Sequence, residues 1–330
     1  MTRVAINGFG RIGRITMRAL LKKKNIEVVA INDLTDTKTL THLFKYDSVH
    51  RQFDGDVEQS EAGIRFNGVD VKVFAERDPS KLPWKELGVD IVVESTGFFR
   101  SRDTAGLHLK AGAKQVIISA PAKDADIPSV VLGVNDHEVD IHADIISNAS
   151  CTTNCAAPMV RVLNESVGIE SLFLSTIHAY TSDQVLHDTP HADLRRGRAA
   201  ANSIIPSSTG AAVALGRIFP HLKGKLAGAG IRVPVLSGSL TEMTCVVKSD
   251  IDVDALNKIF KESAEGQLKG VLEYTDEPLV SCDIIGNSHS CIFDSDLTTI
   301  IGKTVKVVGW YDNEAGYSNR MADLIEKLGK

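Results

Sequence analysis

The sequence predicts an α/β fold in which a doubly wound parallel sheet precedes an α+β domain with a mostly antiparallel sheet. Two observations lead to this prediction. The N-terminus reads strand, glycine turn, helix, strand. The second half instead contains alternating strands such as SLTEMTCVVK and KTVKVVGWYD, with a helix predicted over residues 252–266 between them. A chain of 330 residues is longer than most single domains. We expect two domains, divided near residue 150.

The composition is that of an ordinary folded chain. Hydrophobic residues make up 43%, charged residues 24%, and the net charge of −5 gives no electrostatic reason to expect a nucleic-acid or membrane partner. No apolar run approaches the roughly 18 residues of a membrane span, and MTRVAINGFG lacks an apolar targeting core. Five cysteines, an odd number, argue against a secreted disulfide framework. We therefore expect a cytoplasmic protein with a thiol available for chemistry.

The first strand leads directly into a glycine turn. Residues 3–7 are followed by GFGRIG, and apolar side chains then recur at helical spacing. Gly8 permits a tight turn, Gly10 lets the backbone approach a pyrophosphate, and Gly13 allows close helix packing, while the helix offers its first amides to phosphates. A glycine-rich turn without a ligand is the alternative. Strand, turn and helix in this order favour a Rossmann-type dinucleotide site.

The next strand, EVVAIND, ends at Asp33, about 20 residues beyond the glycine turn. A carboxylate there can bind a ribose 2′-hydroxyl and would repel a 2′-phosphate. Leu34 and Thr35 follow, where a 2′-phosphate would need an arginine. We expect NAD in preference to NADP, with Arg11 and Ile12 of the glycine turn as further contacts.

Further strands continue the doubly wound pattern: VKVFAERDP, DIVVESTG, QVIISAP and DIISNAS, with a helical stretch at residues 102–112. Ligands bind such sheets beyond the carboxyl ends of the strands. The polar residues at those ends are Arg77, Ser95, Thr96 and Ser119. Each could instead be a turn former or a surface residue, but the glycine turn favours cofactor contacts.

A cysteine in a polar setting begins the second half. In SNASCTTNC, the later apolar spacing places Ser150 and Cys151 at a helix N-terminus. A free cysteine titrates near pH ~8.5, and we expect the helix dipole to lower the pKa of Cys151. An interior proline costs ~3 kcal/mol, so Pro158 predicts a kink or a later regular start. A small buried core residue is the alternative for Cys151, but its polar neighbours favour an accessible nucleophile.

Two more residues bear on this thiol. Cys155 could be a resolving thiol or a zinc ligand, but without a CxxC pair or a histidine cluster we interpret it as structural and expect no metal site. His178 ends the apolar run SLFLSTIHAY, and thiol nucleophiles commonly work with a histidine. A histidine satisfied in the core is the alternative, and sequence spacing does not show that His178 meets Cys151.

A polar segment after this strand carries groups that suit phosphate recognition, because arginine supplies a fork of donors and threonine a hydroxyl. It opens at Thr181, includes RRGR, and continues into IIPSSTGAA, where residues 207–210 could cap a helix and offer amides to an anion. Arg232 follows in IRVP. For RRGR, a solvated or subunit-contact loop is an equal alternative.

Taken together, the motifs resemble the phosphorylating glyceraldehyde-3-phosphate dehydrogenase family. INGFGRIGR, ESTG, SNASCTTNC, RRGRAAA, IIPSSTGAA, RVP and WYDNEAGYSNR occur in the family order. The resemblance implies that Cys151 is the nucleophile, His178 its base, and NAD the cofactor. The implied reaction converts glyceraldehyde 3-phosphate and inorganic phosphate to 1,3-bisphosphoglycerate through a cysteine hemithioacetal and thioester. A homotetramer is implied as well, with the loop of residues 181–201 at a subunit interface. The last helical stretch resembles the family's return to the cofactor domain, which implies one domain of residues 1–149 and 315–330 and a second of residues 150–314.

The resemblance also implies which residues contact each group. The substrate phosphate would bind Thr181 and Arg232. Inorganic phosphate would bind Ser150, Thr152, Arg196, Thr209 and Gly210. The nicotinamide would be placed by Asn313 and Tyr317. The rest of the cofactor would contact Gly8, Gly10, Arg11, Ile12, Gly13, Asp33, Arg77, Ser95, Thr96 and Ser119.

Three alternatives stay open at this point. An erythrose-4-phosphate dehydrogenase would share the thiol, the histidine and the cofactor fold. A semialdehyde or acyl-phosphate reductase is disfavoured by the density of family motifs, and a nucleotide-binding protein without turnover is disfavoured by the joint presence of Cys151, His178, Arg232 and Asn313. Thr189 stands where NAD-using members commonly carry leucine, so strict NAD preference is also open.

Overall fold

The computed structural model describes residues 1–329 and divides the chain into two compact units. The first unit comprises Met1–Val130, Asp136–Ala149 and the residues from Ser318 onward. The second unit comprises Val131–Asn135 and Ser150–Tyr317. The domain limits expected above stay a prediction, and Lys330, the last residue of the expected 315–330 segment, lies outside the described residues.

The first unit contains an eight-stranded, mainly parallel sheet. Its strands are β1 (Thr2–Asn7), β2 (Ile26–Asn32), β3 (Val57–Ser60), β4 (Gly63–Phe66), β5 (Val69–Phe74), β6 (Ile91–Glu94), β7 (Gln115–Ile118) and β8 (Ile145–Ser147). Their order is β3-β4-β5-β2-β1-β6-β7-β8. All neighbours from β5 to β8 pair in parallel, which confirms the predicted doubly wound sheet. The antiparallel hairpin β3–β4 extends the sheet at β5.

Four helices connect these strands. They are α1 (Arg11–Leu20), α2 (Thr37–Lys45), α3 (Arg102–Ala105) and α4 (Leu107–Lys110), with a 3-10 turn at Pro79–Lys81. The predicted helical stretch 102–112 is thus two short helices that meet at Gly106, and Ser101 begins the first with a capping box to Thr104.

The centre of this sheet is apolar on both faces, as a parallel sheet between helices requires. Val4, Ala5 and Ile6 of β1 are fully buried. On one face Ala5 belongs to a cluster with Val92 and the large ring of Trp84. This core fixes the carboxyl ends of β1, β2 and β6 at one edge, where the glycine turn begins.

The second unit contains a seven-stranded mixed sheet. Its strands are β9 (Ile169–Ala179), β10 (Ile205–Ser207), β11 (Leu226–Val233), β12 (Ser239–Val247), β13 (Leu272–Thr275), β14 (Cys291–Ile301) and β15 (Thr304–Tyr311). Their order is β10-β11-β9-β12-β15-β14-β13. Four of the six strand pairs are antiparallel, which confirms the predicted mostly antiparallel sheet. The pairs β11–β9 and β13–β14 are parallel.

The helices of the second half follow the sequence pattern closely. They are α5 (Cys151–Ser166), α6 (Ala211–Ile218), α7 (Val253–Glu265) and α8 (Ala315–Leu328), with 3-10 turns at Ala200–Asn202 and Pro220–Leu222. Asp252 caps α7 through the Ala255 amide, and Gly266 ends it. The helix predicted over residues 252–266 is therefore confirmed.

Helix α5 carries the cysteine and packs closely against the sheet. A Cβ on Gly309 of β15 would lie 2.5 Å from the Cys291 sulfur and 2.8 Å from Met159, so only glycine allows this approach. Pro158 lies inside the helix, which nevertheless begins at Cys151. Of the two predicted effects of Pro158, a kink or a later start, the later start is therefore wrong, and the kink stays a prediction. The Ser150 cap and the buried face of α5 outweigh the hydrogen bond that proline cannot make.

Candidate functional site

The glycine turn of the first unit leaves backbone exposed where a phosphate group can approach. Gly8 has φ +91°, and a Cβ there would lie 2.7 Å from the Thr96 amide nitrogen. A Cβ on Gly13 would lie 2.1 Å from the Gly8 carbonyl oxygen. In contrast, the space over Gly10 is open to at least 4 Å, and no side chain of residues 1–329 caps α1 there. The residues present fit the pyrophosphate of a dinucleotide.

The predicted ribose residue, Asp33, also supports the glycine turn. Its Oδ2 accepts a hydrogen bond from the Phe9 amide at 2.8 Å, and its Oδ1 accepts one from the Thr35 amide at 2.9 Å. Each carboxylate oxygen has a further lone pair. Asp33 can therefore hold the loop and still accept bonds from ribose hydroxyls.

Ser95 and Thr96 follow β6 beside the glycine turn. Ser95 Oγ donates to the Gly8 carbonyl at 2.6 Å, and the Thr96 amide and hydroxyl both donate to Glu94 Oε1. Glu94 is 1% exposed and also accepts from Asn7 and contacts His108 Nε2 at 3.0 Å. This buried carboxylate fixes the strand end that lies beside Gly8.

The side chain of Arg11 contacts protein. Its guanidinium makes a two-pronged ion pair with Asp47, at 2.5 and 3.2 Å, and this pairing holds the pKa of Asp47 at about 2, even though burial of the carboxyl opposes the shift. Ile12 is half-buried beside it. Contacts of these two residues to a cofactor are therefore expected from their backbone amides. Ser119 follows β7 at the same sheet edge, and Arg77 is exposed.

In the second unit, Cys151 and His178 meet. Cys151 is the first residue of α5, His178 is the penultimate residue of β9, and the Sγ–Nε2 distance is 3.4 Å. The histidine is 5% exposed, whereas Cys151 is half-buried. A sulfur at hydrogen-bond distance from a ring nitrogen is the arrangement of a thiol nucleophile and its base.

The other ring nitrogen of His178 has two partners of opposite character. Nδ1 lies 2.6 Å from the Ala179 carbonyl oxygen and 2.8 Å from Arg232 Nη1. Register explains the second contact, because Arg232 on β11 pairs with His178 on the parallel strand β9. Nδ1 can therefore donate to the carbonyl or accept from the guanidinium, and Nε2 can correspondingly accept or donate a proton.

Burial and charge set the protonation of this pair. Burial, assisted by the Arg232 charge, lowers the pKa of His178 to about 4. Burial raises the pKa of the Cys151 thiol, although Arg232 and hydrogen bonds from the backbone of Cys151 and Thr152 act in the opposite direction. The predicted lowering of the thiol pKa is wrong, because desolvation outweighs the helix terminus.

Ser150 and Thr152, on either side of the cysteine, have different structural roles. Ser150 caps α5, since its Oγ accepts from the Thr153 amide at 3.1 Å. The Thr152 hydroxyl lies 2.9 Å from Tyr311 Oη, which in turn lies 2.8 Å from the Thr176 hydroxyl. Thr152 is thus fixed by Tyr311, and both its backbone and its side chain favour the neighbouring Cys151 thiolate.

The remaining predicted anion ligands form a second group. Arg196 donates to Ser207 Oγ at 2.9 and 2.7 Å and pairs with Asp183 Oδ2 at 3.1 Å. Thr181 Oγ1 also donates to Asp183. Gly210 begins α6 with open space above it, and Thr209 Oγ1 accepts from the Ala211 amide. Arg232 and Arg196 therefore have separate partners within the second unit.

The last predicted residues also belong to the second unit. Asn313 is 4% exposed, and its Oδ1 lies 2.9 Å from Ser239 Oγ. Tyr317 is buried in the first turn of α8.

Within residues 1–329, no group of three or more His, Cys, Asp or Glu side chains could hold a metal ion, and no helix is long and apolar enough to cross a membrane.

Comparison with known proteins gives the same family for both halves of the chain. Residues 2–102 match the model of the glyceraldehyde 3-phosphate dehydrogenase NAD binding domain, and residues 150–313 match that of the C-terminal domain. The chain is 58% identical to the glyceraldehyde-3-phosphate dehydrogenase of Thermotoga maritima, over all of both chains. It is 54% identical to that of Mycobacterium avium, over 99% of this chain and 98% of the relative. The chain belongs to the glyceraldehyde 3-phosphate dehydrogenase family.

Membership of the glyceraldehyde 3-phosphate dehydrogenase family confirms the resemblance drawn from the motifs and the expectation of NAD as cofactor. Sequence reasoning missed two buried residues of the site, Tyr311 and Ser239. Tyr311 belongs to the quoted motif WYDNEAGYSNR, so its presence was visible. Its contact with Thr152 was not, since the two residues are 159 positions apart.

Proposed function

We propose that this chain catalyses NAD-dependent oxidative phosphorylation of glyceraldehyde 3-phosphate to 1,3-bisphosphoglycerate, with Cys151 as nucleophile and His178 as base. The observation that carries the proposal is the 3.4 Å contact between Cys151 Sγ and His178 Nε2 at the start of α5. Family membership supports the same reaction, and NAD accepts the hydride when it is bound.

The residues of the second unit would act in sequence. His178 Nε2 takes the thiol proton as the sulfur adds to the aldehyde carbon, and the Arg232 charge favours the thiolate. The backbone amides at the start of α5 stabilise the oxyanion of the hemithioacetal. The hemithioacetal oxyanion then loses a hydride, which bound NAD would accept, and becomes a thioester on Cys151, while His178 holds the proton taken from the thiol. A phosphate oxygen then attacks the thioester carbon, the C–S bond breaks, and the acyl phosphate leaves while Cys151 is regenerated as the thiolate.

Two anion sites are needed, one for the phosphate group of the substrate and one for the attacking phosphate. We assign Arg232 and Thr181 to the substrate phosphate and Arg196, Thr209, Gly210, Ser150 and Thr152 to inorganic phosphate. The separate partners of Arg232 and Arg196 support two distinct sites, and the placement of Thr181 with Arg232 rests on the family resemblance, since Thr181 and Arg196 share Asp183. An anion at Arg232 would also offset the charge that lowers the pKa of His178, so substrate binding would strengthen the base.

The cofactor would be held by the exposed glycine turn and the adjoining strand ends. The uncapped start of α1 and the open space over Gly10 suit the pyrophosphate, and Asp33 suits the ribose. We assign the nicotinamide to Asn313 and Tyr317, and we place Arg77, Ser95, Thr96 and Ser119 along the rest of the cofactor.

We further propose a homotetramer in the cytoplasm. The tetramer rests on the family resemblance, and the exposed side chains of Leu186 and Leu194 in the 181–201 loop suit a subunit contact. A reducing compartment would keep Cys151 in the thiol form that the reaction needs.

The proposal is tested by NADH formation with glyceraldehyde 3-phosphate, with and without inorganic phosphate. We expect turnover in the wild type that depends on phosphate, and a loss of at least about 1,000-fold in Cys151→Ser, because serine is a far poorer nucleophile near neutral pH. A parallel assay with erythrose 4-phosphate would show whether the enzyme prefers the triose or the tetrose phosphate. A parallel assay with NADP would show which cofactor it prefers. Tight NAD binding without turnover of any aldehyde would overturn the proposal.

A further inference from the structure

Two buried hydroxyls of the second unit surround the side chain of Asn313. Ser239, the first residue of β12, is 1% exposed, and Ser237 is 2% exposed. Buried hydroxyls as a rule have hydrogen-bond partners, and both serines contact Asn313 Oδ1.

Ser239 links Asn313 to the strand that carries the base. Its Oγ accepts a hydrogen bond from the Ala179 amide at 3.0 Å and donates its single proton to Asn313 Oδ1 at 2.9 Å. Ala179 follows His178 at the end of β9. Ser237 Oγ is closer to Asp312 Oδ1, at 3.0 Å, than to Asn313 Oδ1, at 3.3 Å, so its proton goes to the carboxylate.

These bonds determine which way the Asn313 amide points. With Oδ1 as the acceptor from Ser239, the Nδ2 group points away from the serine as a donor. In the reverse orientation Nδ2 would donate to Ser239 Oγ, and the buried Ser239 hydroxyl proton would lose Asn313 Oδ1 as its acceptor. Asn313 is therefore prepared to donate a hydrogen bond, and the group it binds must be an acceptor.

We propose that Ser239 is a positioning residue, which fixes the Asn313 carboxamide so that Nδ2 donates to the carboxamide oxygen of the nicotinamide. The inference rests on the proposed function and adds the residue that orients the contact. Through the Ala179 amide, the same hydroxyl ties Asn313 to the end of β9. Ser239 thus sets the nicotinamide contact without touching substrate or cofactor.

A double-mutant cycle tests this role. We expect Ser239→Ala to lower kcat/KM for NAD about tenfold in the wild-type background, the effect of one lost hydrogen bond of about 1.4 kcal/mol. In an Asn313→Ala background the same change should cost less than about twofold, because the group that Ser239 positions is gone. The cycle separates this coupling from any effect of Ser239 on Ala179, since that effect would persist in both backgrounds.

Thr241→Val is the matched control. Thr241 lies two residues along β12, is fully buried, and pairs with Gly309 and Thr176. We expect its effect on kcat/KM to be equal in both backgrounds. An equal loss from Ser239→Ala in both backgrounds, or the same non-additivity for Thr241→Val, would overturn the inference. A wild-type enzyme without phosphate-dependent NADH formation would instead overturn the proposed function.

An analogue of the cofactor provides a second readout. In thionicotinamide adenine dinucleotide a sulfur replaces the carboxamide oxygen and accepts hydrogen bonds weakly. We expect the wild type to prefer NAD over this analogue and Ser239→Ala to lose about tenfold of that preference. An unchanged preference in Ser239→Ala would contradict the proposed orientation of Asn313.

Discussion

The imidazole of His178 lies between a sulfur and a positive charge. Cys151 Sγ is 3.4 Å from one ring nitrogen, and Arg232 Nη1 is 2.8 Å from the other. Burial and the guanidinium together keep the ring neutral, with a pKa of about 4. The same guanidinium favours the thiolate of Cys151. Arg232 therefore acts on both members of the pair, in addition to its proposed contact with the substrate phosphate.

Replacing Arg232 should shift both titrations upward. In Arg232→Gln, we expect the pKa of His178 to rise toward the ordinary value near 6.5, because a nearby positive charge is removed. The pKa of the Cys151 thiol should also rise, which would slow its alkylation at pH 7 about tenfold. Nuclear magnetic resonance of labelled histidine, assigned with His178→Asn, and iodoacetamide kinetics measure the two shifts.

Arg198→Gln is the control for this prediction. Arg198 pairs with Asp188 on the surface at 2.7 Å, and both side chains are more than half exposed. Its removal should leave both titrations unchanged. A His178 pKa that stays near 4 in Arg232→Gln would mean that burial alone sets it.

At the scale of single residues, the sequence predicts the reacting residues better than it predicts the residues that hold them in place. Cys151 and His178 follow from motif, pattern and resemblance, and the structure brings them together. Tyr311 and Ser239 are missed because each acts through a partner distant in sequence. For Ser239 and Asn313 the separation is 74 residues.

Among the elements, the glycine turn and α1 have the most direct relation between sequence and geometry. The two glycines Gly13 and Gly10 differ in what surrounds them. A side chain on Gly13 would strike the Gly8 carbonyl oxygen, whereas the space over Gly10 is open. Gly13 is therefore required for packing, and Gly10 for access by a ligand.

Alanine substitutions should separate these two requirements. We expect Gly13→Ala to destabilise the first unit by ~1–3 kcal/mol, as overpacked sites do, and to lower its melting temperature. Gly10→Ala should change the stability by less than about 1 kcal/mol, since only a cap position is altered. It should nevertheless weaken NAD binding at least about tenfold, because the methyl group enters the proposed pyrophosphate space. Scanning fluorimetry and calorimetric titration with NAD measure these effects, and unchanged affinity in Gly10→Ala would contradict the assigned position.

Element prediction succeeded where local patterns were strong. Helix α7 has a capping aspartate, an amphipathic pattern and a terminal glycine, so its limits were predicted within one residue. Helix α5 was predicted less well, because Pro158 argues locally against a helix that tertiary packing nevertheless stabilises. The hairpin β3–β4 went unpredicted, since its four-residue strands are too short for a clear alternation.

At the scale of the whole molecule, the sequence predicts two kinds of sheet and the structure contains both. The parallel sheet follows from alternating strands and helices, and the mixed sheet from longer strands that pair mostly antiparallel. Such patterns do not predict the register between strands. It is register that places Arg232 opposite His178, and with it the charge that governs the base.

The central claim is that Cys151 carries an acyl group that phosphate removes. The most direct test mixes the wild type with NAD and glyceraldehyde 3-phosphate in the absence of phosphate, and follows NADH by stopped flow. We predict a burst of about one NADH per chain, a thioester detectable on Cys151 by mass spectrometry, and renewed turnover when phosphate is added. Steady turnover without phosphate, or a burst that leaves Cys151 unmodified, would contradict the account.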